Sequence, residues 1–103
     1  MTSRAREVRS LYAEWERRRD GRPWTAADLM AGFTGDVGDL AKLVQAHNGV
    51  RPGPDDLPAA LAHELADCLW SIIVLADELG IDLQTAFTTT MDALEHHVRD
   101  QLD

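Results

Sequence analysis

Apolar residues recur at helical spacing over four stretches of the chain, and the segments between them carry residues that stop and start helices. From Ser3 to about Arg19, Val8, Leu11, Tyr12 and Trp15 fall on one face, and the breaker Asp-Gly-Arg-Pro follows. Thr25 opens Thr-Ala-Ala-Asp, a near capping box in which the Thr25 hydroxyl accepts from the Asp28 amide, and this predicts a second helix reaching about His47. The segment Asn-Gly-Val-Arg-Pro-Gly-Pro-Asp-Asp holds two Gly and two Pro in nine residues. It reads as a loop, short enough to make its flanking helices antiparallel neighbours. A third helix begins after it, with Asp55 or Asp56 as N-cap and Pro58 in the first turn, where the missing N–H costs nothing. Gly80 is a natural left-handed residue after Leu79. Asp82 then caps a fourth helix from Leu83 to near the C-terminus, although Thr88, Thr89 and Thr90 lower its propensity. No strand-period segment competes. The pattern predicts an all-α, four-helix bundle with antiparallel core helices, one domain over residues 1–103.

The third helix is apolar around more than half its circumference. Leu61, Leu65, Leu69, Ile72, Ala76 and Leu79 form one stripe, and Trp70, Ile73, Val74 and Leu75 spread beyond it. A protomer with one core does not need so wide a face, so the surplus predicts an oligomer.

Composition narrows the function. The 18 acidic residues outnumber 10 basic ones, for a net charge of −8, which argues against DNA, RNA or an anionic membrane as partner. The bases that cluster, Arg17, Arg18 and Arg19, sit beside Glu14 and Glu16 and read as a solvated helix face. Cys68 is the only cysteine and lies in an apolar run, so it reads as a small buried hydrophobe in a reducing, cytoplasmic setting. The start of the chain has no apolar stretch behind its positive charges, and Cys-Leu-Trp-Ser-Ile-Ile-Val-Leu-Ala is too short a run to span a bilayer.

Four acids carry the candidate chemistry. Asp36 and Asp39 lie three apart on the second helix, Glu64 and Asp67 three apart on the third, so each pair shares a helix face beside the apolar stripe. Antiparallel packing lets the pairs meet. Four converging carboxylates need a compensating cation, and an oxygen-only set suits Mg²⁺, with Mn²⁺ as the other choice, better than zinc. His63 is adjacent to Glu64, the wrong offset for the Glu-x-x-His pairs of di-iron bundles. Spacing alone leaves a second reading open, two acid pairs on solvated helices.

The wider context is more specific. "LMAGFTGDVGDLAKLVQ" followed across a short loop by "HELADCLWSIIVLADELGIDL" resembles the MazG-like all-α nucleoside triphosphate pyrophosphohydrolases over roughly residues 11 to 92. "GDVGDLAKL" stands where that family has a pattern like "GEVGELAEL", and "HELADCL" where it has one like "EELxDVL". The resemblance implies that Asp36, Asp39, Glu64 and Asp67 hold Mg²⁺ and act in catalysis. It also implies hydrolysis between the α and β phosphates of an NTP or dNTP, and assembly as a homodimer or homotetramer. It places Trp24 where relatives set an aromatic or His near the base, although a Trp at a helix entry also serves as a hydrophobic staple. Lys42 stands where relatives often have an acid, free to meet a phosphate or to pair with Asp39.

The fourth helix departs from the family. Thr90, Leu94 and His97 occupy the positions of a Lys-x-x-x-Asn-x-x-Arg-like run that meets the triphosphate in many relatives. Loss of those charges removes bonds that bind substrate and stabilise a transition state. The alternative is therefore a catalytically weak module of the same fold that binds a nucleotide or a protein. Lys42, Arg51, His96, His97 and Arg99 are the cations available as substitutes, and His96 and His97 also suit an exposed last turn.

Overall fold

The protein, described over all 103 residues by a computed structural model, consists of α1 (Thr2–Asp20), α2 (Ala26–His47), α3 (Leu57–Glu78) and α4 (Leu83–Leu102). The boundaries follow from local chemistry. Gly21, at φ 84°, turns the chain out of α1. The Thr25 hydroxyl accepts from the Asp28 amide at 3.3 Å while the Asp28 carboxylate accepts from the Thr25 amide at 2.9 Å, a complete capping box. Asp56, not Asp55, caps α3 by accepting from the Ala59 amide.

At the far end of α3, Gly80 at φ 69° lets its own N–H reach the Asp77 carbonyl and the Ile81 N–H reach the Ala76 carbonyl. These paired bonds form a Schellman closure, and a side chain at Gly80 would strain it. Asp82 caps α4 twice, accepting from the amide and the hydroxyl of Thr85.

Helix α3 is the centre of the molecule. Helix α2 runs antiparallel along it, α1 packs against its other side, and α4 meets α3 alone. By length and composition α3 is also the one helix apolar enough to cross a membrane. Its position among the other three helices gives that apolarity a use, and Glu64 and Asp67 fall at mid-helix, where a spanning segment rarely carries acids.

The expected stripe on α3 is only partly core. Cys68, Ile73, Val74 and Ala76 are buried, whereas Leu65, Leu69, Ile72 and Leu79 are exposed. The core therefore takes in Ile73 and Val74, read as overspill, and Cys68 beside them. Of the stripe itself Ala76 is buried, and Leu65, Leu69, Ile72 and Leu79 stay uncovered.

Two sets of bonds fasten α1. Trp70 Nε1 donates to the Ala5 carbonyl at 3.3 Å, and Arg6 Nε donates to Asp77 Oδ1 at 2.8 Å. Deeper in, Arg9 Nη1 donates to Glu16 Oε1 at 3.1 Å and Arg9 Nη2 to the Trp24 carbonyl at 2.6 Å, while the Trp24 amide donates to the same Glu16 oxygen at 2.7 Å. This corrects the reading of the charge run. Arg18 pairs with Glu14 and Arg19 with Asp20 at the surface, but Glu16 is 3 % exposed, held where the Trp24 amide of the α1–α2 loop donates to it.

The single chain is extended. Its radius of gyration is 17.1 Å, against about 13 Å for a globular chain of this length. Its accessible surface is 7642 Å², against about 5,800 Å² for a monomer of this mass. Much of the excess is apolar: Phe87, Met91, Leu94, Val98 and Leu102 make an exposed stripe along α4, which has no buried residue.

Candidate metal centre and aromatic pocket

The antiparallel pairing of α2 and α3 brings the two acid pairs together at mid-helix. Ligand atoms of Asp36, Asp39 and Glu64 lie within 4.8 Å of one another, and so do those of His63, Glu64 and Asp67. Glu64 belongs to both groups. All four predicted acids therefore share one site, which spacing predicted only on condition that the helices packed this way.

The electrostatics match the crowding. Partial burial, then the charges of Asp67 and Asp39, push the Asp36 carboxyl above the usual range. Burial, then Asp36, Asp67 and Asp39, do the same to Glu64. Cys68 lies behind the acids, and burial followed by the Asp36, Glu64 and Asp67 charges raises its thiol too. Carboxylates under mutual repulsion at the rim of a core are a donor set for a hard divalent cation.

His63 enters the site through Asp67 rather than through its neighbour Glu64. Its Nε2 lies 3.1 Å from Asp67 Oδ2, one turn along the helix. It offers a fifth ligand or a group that orients Asp67. Lys42 is exposed and forms no ion pair, so the expected bridge to Asp39 is not made. Thr90, Leu94 and His97 are exposed on α4 and face neither the acids nor the cavity beside them.

That cavity, of about 550 Å³, opens directly from the acid cluster. Asp36 and Asp67 form one end, and Tyr12, Trp15, Trp24 and Trp70 wall the rest, with Glu16, Leu29 and Gly32 between them. Trp24 stands at the staple position of α2 and forms part of the wall. It precedes the Thr25 cap, meets the same cavity as Leu29 in the first turn of α2, and lays its ring edge on Gly32, where an added Cβ would stand 3.4 Å from Trp24 Cζ3. Trp15 of α1 and Trp70 of α3 are joined through Tyr12, whose ring centre lies 6.1 Å from Trp15 and 5.6 Å from Trp70. Their place in the wall was concealed because they come from different helices. So was that of Glu16.

Comparison with known proteins places this arrangement. Residues 25–100 match the MazG nucleotide pyrophosphohydrolase domain. The chain is 35 % identical over 91 residues to dCTP pyrophosphatase 1 of Mus musculus, and 34 % identical over 91 residues to the proteins of that name from Rattus norvegicus and Homo sapiens. Each alignment covers 84 % of this chain and 54 % of the relative, so the chain spans about half the length of the curated proteins it matches. Both acid pairs fall inside the matched segment, and the chain belongs to the MazG nucleotide pyrophosphohydrolase domain family.

Proposed function

We propose that the protein is a divalent-metal-dependent nucleoside triphosphate pyrophosphohydrolase that cleaves the α–β phosphoanhydride to give a monophosphate and pyrophosphate, with Mg²⁺ or Mn²⁺ as the ion. One observation carries this reading: an aromatic-walled cavity of about 550 Å³ runs into a four-carboxylate cluster, with Asp36 and Asp67 common to both. A base stacks on Trp24 and its neighbours, and the triphosphate then lies along the acids.

Asp36, Asp39, Glu64 and Asp67 would hold the cation, with His63 orienting Asp67. When bound, the ion neutralises phosphate oxygens and lowers the pKa of a coordinated water. The carboxylate left with a free oxygen takes the proton of the attacking water. As the water oxygen bonds to the α phosphorus, the bridging oxygen leaves with pyrophosphate. Lys42, exposed one turn beyond Asp39 and unpaired, meets a phosphate and supplies part of the charge that α4 lacks. The trimming of a nucleotide pool in a reducing, cytoplasmic compartment is the role this implies.

The functional unit in this proposal is a homo-oligomer. The chain exposes about 1,800 Å² more than a compact monomer of its mass would. Burial of that excess by two copies gives an interface in the obligate range.

A panel of NTPs and dNTPs with Mg²⁺, scored for pyrophosphate separately from orthophosphate, tests the activity. dCTP comes first because of the relatives' names. Wild-type protein is expected to release pyrophosphate from at least one nucleotide, and Asp67→Asn to abolish release. Absence of monophosphate across the panel at high enzyme concentration would favour the binding module, which the Thr90, Leu94 and His97 positions on α4 support.

A further inference from the structure

Glu16 is a carboxylate in an aromatic wall, and only half of it is used. Oε1 accepts from both Arg9 Nη1 and the Trp24 amide. Oε2 accepts from nothing in the protein, yet it is not sealed away: Arg9 Nε is the only fully buried side-chain polar atom left without a partner. The residue is 3 % exposed and lines the cavity beside Trp15 and Trp24. An ionised carboxylate can only accept hydrogen bonds. Once a ligand fills the cavity and displaces water, Oε2 must find a donor on that ligand or stand unsatisfied beside aromatic rings.

We infer that Glu16 selects the nucleobase, its free oxygen accepting from the exocyclic amino group of cytosine or adenine and disfavouring the keto bases uracil and thymine. This deepens the proposed function and rests on it. Cytosine and adenine each present an N–H pair beside a ring acceptor. Uracil and thymine present a carbonyl oxygen in place of the amino group, and their one ring N–H is flanked by two carbonyls whose lone pairs oppose a carboxylate. Guanine suits a carboxylate with both oxygens free, and here Arg9 and Trp24 occupy one. Arg9 acts as a positioning residue: its guanidinium fixes the oxygen that is not offered and so aims the one that is.

The test measures recognition apart from chemistry. Binding of dCMP, dAMP, dUMP and dTMP is followed by quenching of tryptophan fluorescence, and pyrophosphate release from the four triphosphates is measured separately. Wild-type protein is expected to bind the amino bases at least about tenfold more tightly than the keto bases. Glu16→Gln keeps an oxygen for Arg9 and the Trp24 amide but turns an amide N–H₂ toward the cavity, so the preference should fall below about twofold or invert. Glu16→Asp, still an acceptor, should keep the sign of the preference, and helicity by circular dichroism identifies the variants that fold. Equal binding of amino and keto bases by wild type overturns the inference. So does a folded Glu16→Gln variant with the wild-type preference. Pyrophosphate release with no base preference overturns this inference and leaves the proposed function standing, whereas amino-base selection without pyrophosphate release upholds Glu16 and overturns the enzyme.

Discussion

Glu64 is the acid that both halves of the cluster share, and its raised carboxyl fixes the sign of its effect on stability. A folded state that holds a proton more tightly than the unfolded chain is destabilised, relative to it, as that group ionises. At neutral pH without metal Glu64 therefore opposes folding. Glu64→Gln should raise or preserve the melting temperature in EDTA. It should also remove most of the gain from Mg²⁺, which for an ion that binds only the folded state is about 2.7 kcal/mol at a hundredfold excess over Kd. Melts of both proteins with and without Mg²⁺ check this, and an equal Mg²⁺ response would remove Glu64 from the ligand set. The four acids were legible because i, i+3 spacing on a helix is a local property. Glu16 was not: it sits in a run of surface charges, and the Trp24 amide that holds it comes from the α1–α2 loop. The offset of His63 from Glu64 spoke only against a di-iron pair, and its contact with Asp67, one turn along, is a separate one.

Helices α2, α3 and α4 each begin on a cap that the sequence displays, and the Asp28 cap carries a pH dependence. The Arg22 guanidinium, then the Thr25 amide and hydroxyl, pull the Asp28 carboxyl down to about 2. A lowered folded-state pKa gives stability that is present above the unfolded value, near 3.8, and lost as pH falls toward 2. Asp28→Asn should therefore melt below wild type at pH 7, and thermal melts across an acid series should show the two curves converging by about pH 2. A constant difference across the series would assign the effect to geometry rather than charge. The helix limits stood within a residue or two of those expected, because caps, Gly80 and the Pro-Gly loop act locally. Which face of α3 becomes core did not: an apolar girth fits several packings, and the short loop to α2 selects one of them.

The whole molecule has more apolar surface than one copy can bury, and α4 carries much of it. Burial between two copies, as proposed, would make stability depend on concentration, so the melting temperature should rise with protein concentration and light scattering should return a mass at least twice 11.4 kDa. Leu94→Glu, in the middle of the α4 stripe, should lower both. A concentration-independent melt at monomer mass would leave α4 without a partner. Ion binding would also change the motion of the fold, and Cys68 reports on it. Its thiol is buried behind the acids and kept protonated by burial and their charge, so an alkylating reagent has to wait until α3 parts from its neighbours. Labelling then works as a clock whose tick is the opening of the bundle. A cation that ties α2 to α3 should slow that clock by roughly hundredfold at a hundredfold excess over Kd, and mass spectrometry of the alkylated chain over time reads it without any nucleotide present.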